Sequence, residues 1–196
     1  DDIYEHIRLD EQPFNNIIMV EPKLKNRCIV INGVSKAYSM TGWRIGFAAG
    51  PEKIISAMSI LQSQSTSNPT SISQAAAEAA LLGDKSCITP MLDAFKERHA
   101  FVVNAFNNIE GIDCIKAQGA FYSFPCAKKA IESLYKKGKI KKNDDISFSE
   151  YLLETKGVAV VPGSAFGAAG YFRISFATSM DNLREALLRI KEAVEG

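Results

Sequence analysis

Apolar and polar positions along the chain fall into three kinds of stretch. Over the first fifty residues there are short continuous apolar runs closed by turn residues. Cys28-Ile29-Val30-Ile31 ends at Asn32-Gly33, and Arg44-Ile45-Gly46-Phe47-Ala48-Ala49 ends at Gly50-Pro51. Such runs, rich in β-branched residues and without strict alternation, predict strands buried on both faces of a mainly parallel sheet. Helical spacing then takes over: Ile54, Ile55, Met58 and Leu61 recur behind Pro51, which suits a first helical position. Asn68-Pro69 reads as the cap and first turn of a second helix running through Ala75 to Leu82 and stopped by Gly83. Thr89-Pro90 opens a long third helix with Leu92, Phe95, His99, Val102 and Phe106 on one face.

Beyond Gly111 the elements shorten. Residues 112–115 and 120–124 predict two strands about a hairpin turn at Gln118-Gly119. Helices are expected at 128–135 and 147–156, and strands at 158–161 and 171–176. A closing amphipathic helix is expected at 181–194, with Leu183, Leu187, Ile190 and Val194 facing inward. The pattern is α/β, two layers of helix on sheet, the first part mainly parallel. The boundary is expected inside the long helix, near residues 95–108.

Composition narrows the function classes. The chain has 196 residues, 46% hydrophobic and 23% charged, with a net charge of +1, enough for one large domain or two small ones. No basic stripe marks a nucleic-acid binder, and no apolar run approaches the roughly 18 residues of a membrane span. The lysine-rich stretch 136–145 reads as a solvated surface loop. Cys28, Cys87, Cys114 and Cys126 stand far apart, without zinc-ligand spacing or the pattern of a disulfide framework. They read as reduced, mostly buried thiols of a cytoplasmic protein. His99, among apolar neighbours, reads as a structural histidine, and Tyr38 and Trp43 as packing residues.

Chemistry concentrates in residues 32–46. Lys36 follows directly on a strand, flanked by small residues, whereas surface lysines normally keep polar company. Desolvation and nearby cations lower a lysine's pKa and turn an ammonium into an amine able to attack a carbonyl. Arg44, eight residues on, is placed to supply positive field and to fork around an anion. The same spacing also suits a lysine that snorkels from a strand end and an arginine paired with a carboxylate.

The string Ser35-Lys36-x-x-x-Met40-Thr41-Gly42-Trp43-Arg44-Ile45-Gly46 resembles the internal-aldimine lysine motif of the fold-type I, class I/II aminotransferases, which depend on pyridoxal phosphate. It is most similar to the bacterial-type aspartate aminotransferase branch. Other segments agree in order: Asp1-x-x-Tyr4-Glu5-His6, Gln64 to Pro69, Gly119-Ala120-Phe121-Tyr122, Val158 to Gly167, and Phe172-Arg173-Ile174-Ser175-Phe176-Ala177. The resemblance implies that residues 1–100 form the C-terminal part of the large cofactor domain and 101–196 an α+β small domain. It also implies a C-terminal fragment of a protein about twice this length.

Carried over by position, the resemblance implies a Schiff base and proton shuttle at Lys36, and a partner for the pyridine nitrogen at Asp1. Tyr4 would bond the ring's phenolic oxygen, Ser35 and Arg44 the cofactor phosphate, and Arg173 the substrate α-carboxylate. Gly33 departs from the pattern, standing where many such enzymes carry a phosphate-binding serine. The implied activity is amino transfer between an amino acid, aspartate first, and a 2-oxo acid, 2-oxoglutarate, in a homodimer. Prephenate or another amino acid, lyase chemistry on the same scaffold, and a catalytically silent folding or dimer-forming fragment stay open as alternatives.

Overall fold

The computed structural model describes every residue from Asp1 to Gly196. The chain divides into two compact units, Asp1–Leu92 and Asp93–Gly196, and the division falls within the long helix Ile88–Asn107.

The first unit begins with an irregular turn over residues 3–6 and a short helix α1 (Ile17–Val20). Asn16 caps α1, its side-chain oxygen accepting from the Ile18 and Met19 amides. After a 3-10 stretch at Pro22–Arg27 come strands β1 (Val30–Gly33) and β2 (Gly46–Ala49). They pair antiparallel, with Val30 opposite Ala49 and Gly33 opposite Gly46. These two runs, expected as strands of a mainly parallel sheet, thus lie side by side as an antiparallel pair. A parallel neighbour needs a crossover, usually a helix, and residues 34–45 carry only turns and the 3-10 turn Thr41–Trp43. The strands also start later than the apolar runs that predict them, and Ile31 and Phe47 stay 50% and 43% exposed rather than buried on both faces.

Two helices follow, α2 (Glu52–Ser65) and α3 (Ser71–Leu82). Helix α2 forms where the apolar spacing predicts it, yet buries no residue in this chain; Ile54, Met58 and Leu61 are exposed. Helix α3 turns Ser73 and Ala77 inward, and the Ser73 hydroxyl donates to the Trp43 carbonyl at 2.7 Å.

Helix α4 (Ile88–Asn107) presents Phe95, His99, Val102 and Phe106 as a buried stripe in the second unit. A three-stranded antiparallel sheet packs there, with β5 (Phe172–Ser175) between β3 (Tyr122–Ser123) and β4 (Val161–Pro162). Strand β5 alternates with period two: Phe172 and Ile174 point into the core and Arg173 and Ser175 lie on the other face. The expected 112–115 strand reduces to an isolated bridge between Asp113 and Cys126, so no hairpin ladder forms about Gln118-Gly119.

Helices α5 (Lys128–Lys136), α6 (Asp145–Lys156) and α7 (Met180–Glu195) complete the unit. Helix α6 starts two residues before the expected 147, so the end of the 136–145 stretch is not a solvated loop: Asp144 accepts from the Ser147 amide and Asp145 is buried, while Gly157 closes the helix in the left-handed region at φ 65°. Ser179 caps α7, whose Leu183, Leu187, Ile190 and Val194 are buried as the spacing predicts. The core centres on Phe172, whose ring lies 5.5 Å from both Phe106 and Phe148.

Of the cysteines only Cys114 is buried. Cys28 and Cys126 are half-buried and Cys87 is exposed, because Cys87 falls in the loop between α3 and α4 rather than on an inward face. Trp43, expected to pack, is also exposed, at the end of its 3-10 turn.

Candidate active site

Lys36 sits half-buried in the turn immediately after β1, between the buried residues Val34 and Ala37. The turn closes on itself through the Tyr38 amide, which donates to the Val34 carbonyl, and the Ser39 amide, which donates to the Lys36 carbonyl, both at 3.3 Å. Ser39 takes a positive φ of 54° there. The lysine is thus delivered by a strand end and fixed by a tight turn. Ser35 lies beside it, also half-buried.

The N-terminal segment is tied to the same strand. The Asp2 amide donates to the Ile31 carbonyl at 2.8 Å, and Asn32 Nδ2 donates to Glu5 Oε1 at 2.7 Å. Asn16 Nδ2 holds the Asp2 carboxylate at 2.7 Å, and His6 stands 3.6 Å from Glu5. Tyr4 is half-buried, and its carbonyl accepts from the amide of fully buried Ile7 at 2.8 Å. Asp1 is exposed and bonds locally, Oδ1 accepting from the Ile3 amide at 3.2 Å. Asp1, Tyr4, Ser35 and Lys36 are therefore carried by two segments anchored on one strand, β1.

Arg44 does not continue a strand, contrary to the apolar run that includes it. It takes the left-handed conformation, φ 51° and ψ 49°, at the end of the 3-10 turn. Its Nη1 donates to the Thr41 carbonyl at 2.8 Å, and the side chain is exposed. One arm of the guanidinium braces the turn, which leaves further N–H donors for an anion.

Gly33 departs from the serine pattern for a local reason. It is buried opposite Gly46, and a Cβ there would meet Gly46 Cα and the Ile45 carbonyl oxygen at 3.3 Å. A serine at this position needs the hairpin to widen.

Arg173 belongs to the second unit, on the central strand β5. Its guanidinium carbon lies 4.4 Å from the centroid of the Tyr122 ring and 4.6 Å from that of Phe166. It joins none of the ion pairs of its unit, which engage Lys129, Lys136, Lys156, Arg184, Arg189 and Lys191 instead. Sequence reasoning assigned no role to the two flanking aromatics or to the Glu5–Asn32 bond. The only signal for the aromatics is their place in the strings Gly119 to Tyr122 and Val158 to Gly167.

As a donor set, an amine, a carboxylate, a phenol, a hydroxyl and a guanidinium complement an aldehyde, a pyridinium, a phenolate and a phosphate. Pyridoxal phosphate carries these groups on one ring, so the residues present fit it chemically.

The strands and helices define a mixed α/β protein, with Lys36 at the end of β1 and the segment bearing Tyr4 tied to the same strand. Residues 1–190 match the family described as aminotransferase class I and II. The chain belongs to that family. It is 57% identical over 190 residues to an aspartate/prephenate aminotransferase of Nitrosomonas europaea, covering 97% of this chain and 48% of that protein. An aspartate aminotransferase of Rhizobium meliloti is 50% identical over 195 residues, covering all of this chain and 47% of the relative. Among solved structures, the Rhizobium meliloti aspartate aminotransferase superposes with a TM-score of 0.91 at 48% identity, over the whole chain and 48% of that structure. The aromatic aminotransferase of Pyrococcus horikoshii gives 0.88 at 35% identity, over the whole chain and 50% of that structure. The chain thus spans about half the length of the curated relatives it matches.

Proposed function

We propose that the protein carrying this chain transfers an amino group between aspartate and a 2-oxo acid, 2-oxoglutarate, with pyridoxal phosphate held on Lys36. The observation that carries the reading is the attachment of both the Lys36 turn and the Asp1–Ile7 segment to one strand, β1. The names of the relatives at 50% identity or more support the substrate class. Prephenate is the second reading, favoured by the name of the Nitrosomonas europaea relative.

When bound, the cofactor supplies an electron sink for the charge that develops at the substrate α-carbon. The remaining work falls to side chains. The Lys36 amine would anchor the cofactor aldehyde and would carry the proton at the substrate α-carbon. The Asp1 carboxylate would partner the ring nitrogen. The Tyr4 hydroxyl would donate to the ring oxygen, and Ser35 and Arg44 would hold the phosphate. The Arg173 guanidinium would grip the substrate α-carboxylate in a bidentate fork, which orients the Cα–H bond for cleavage. Residues 1–100 then act as part of the cofactor domain and residues 101–196 as the small domain. The protein is read as a cytoplasmic homodimer, as the family resemblance implies.

The test is an exchange assay of the full-length protein with aspartate, alanine, glutamate or prephenate as donor or acceptor partner. Aspartate with 2-oxoglutarate is expected to turn over fastest. Exchange with none of these pairs overturns the reading.

A further inference from the structure

We propose that Asp145 is a positioning residue for Arg173: it pins the turn whose Phe166 ring, together with Tyr122, packs an aromatic face against the guanidinium. This rests on the reading of Arg173 as the receptor for the substrate carboxylate.

The two rings come from different elements. Tyr122 lies on β3, and Phe166 on the 3-10 turn Gly163–Phe166 that links β4 to β5. Ring faces packed against a guanidinium restrain it by cation–π attraction and leave N–H donors for an acceptor. A carboxylate is such an acceptor. Because Arg173 joins no ion pair of its unit, its charge is not spent on a neighbouring side chain.

Phe166 cannot hold that place by burial, since it is 50% exposed. Its ring meets Phe124 edge-on at 5.9 Å, and the backbone turn beneath it must be fixed by other means. Asp145 provides them. It is buried at the start of α6, and its two carboxylate oxygens reach opposite ends of the turn. Oδ2 accepts from the Ser164 amide at 2.6 Å, and Oδ1 accepts from the Gly170 amide at 3.2 Å. Burial opposes this charge, but the bonds from Ser164 and Gly170 outweigh it and hold the carboxyl below its ordinary range. Within the turn, the Gly163 amide donates to the Tyr171 carbonyl at 2.7 Å and the Ala168 amide to the Gly163 carbonyl at 3.0 Å. A Cβ on Gly163 would collide with the Ala168 carbonyl and Tyr171. A buried carboxylate whose donors all lie on one turn, together with a glycine admitted only by close approach, fixes where Phe166 stands over Arg173.

The experiment uses the full-length protein with cofactor. Succinate, an unreactive dicarboxylate, is titrated calorimetrically, and affinity for pyridoxal phosphate and the thermal midpoint are measured beside it. Phe166→Leu and Asp145→Asn are expected to raise the succinate Kd by about five- to twentyfold while leaving cofactor affinity within about twofold. Phe166→Tyr, which keeps the ring, is expected to bind succinate like the parent. Phe166→Leu changes an exposed side chain and keeps the proposal testable if Asp145→Asn fails to fold. The proposal is overturned if Phe166→Leu binds succinate as the parent does, or if succinate and cofactor affinity fall by the same factor. Arg173→Ala separates the two levels. If it loses succinate while the other variants do not, only the roles of Asp145 and Phe166 fall. If Arg173→Ala also binds as the parent does, the carboxylate reading of Arg173 falls and takes this proposal with it.

Discussion

Asn32 Nδ2 donates to Glu5 Oε1 at 2.7 Å, joining residues 27 positions apart and fastening the segment that bears Tyr4 to the strand that delivers Lys36. The bond is short and partly buried, so losing one partner leaves the other unsatisfied away from water. Asn32→Ala is therefore expected to destabilise the first unit by about 1–3 kcal/mol and to weaken cofactor binding. Denaturant unfolding and a cofactor titration of the full-length protein check both. A variant as stable as the parent, with the same cofactor affinity, contradicts the role given to this tie.

Phe172 should dominate the core of the second unit. It is fully buried with Phe106 and Phe148 on either side, each at 5.5 Å. Phe172→Ala is expected to cost about 3–5 kcal/mol by denaturant unfolding, and Phe172→Leu less than half of that.

His99 gives this unit an acid limb. The Ala117 amide donates to its Nε2 at 3.0 Å, so the ring is held neutral with its proton on Nδ1. Burial first, and Lys116 second, keep its pKa below the ordinary 6.5. The folded state therefore binds fewer protons than the unfolded chain once the pH falls toward 6.5, and stability drops from there down to the folded pKa. Above about pH 7.5 this contribution is constant. Denaturation midpoints taken across that range should decline on acidification in the parent and decline less in His99→Gln.

Thiol reactivity should follow burial. Cys114 is buried, and its pKa is pushed up to about 11 by that burial. Cys87 is exposed. At mildly alkaline pH, peptide mapping after brief alkylation is expected to find Cys87 labelled first and Cys114 last. Early labelling of Cys114 contradicts the packing described for it.

The helices were legible wherever caps and spacing coincide. Helix α3 stops at Gly83 as expected, and the inward stripe of α7 follows its 3.6-residue period, whereas the caps Asp144 and Ser179 start α6 and α7 earlier than the apolar spacing alone places them. Strands were harder to read. The apolar run through Arg44 and Ile45 continues past the point where the backbone turns left-handed, and hydrophobicity carries no information on φ. The pairing of β1 with β2 depends on the length of the link between them, which a reading of each run as an isolated buried strand leaves out. Lys36, Arg44 and Arg173 stand out by residue type and motif. Glu5, Asn32, Tyr122, Phe166 and Asp145 act through partners far along the chain and carry no local signature.

The central claim concerns one amine. In the full-length protein loaded with pyridoxal phosphate, borohydride reduction followed by proteolysis and mass analysis should find a pyridoxyl group on the peptide bearing Lys36 and on no other. Lys36→Ala should take up no label and lose amino transfer. A label fixed on a different lysine, or an unlabelled Lys36 in a protein that still transfers amino groups, would contradict the account.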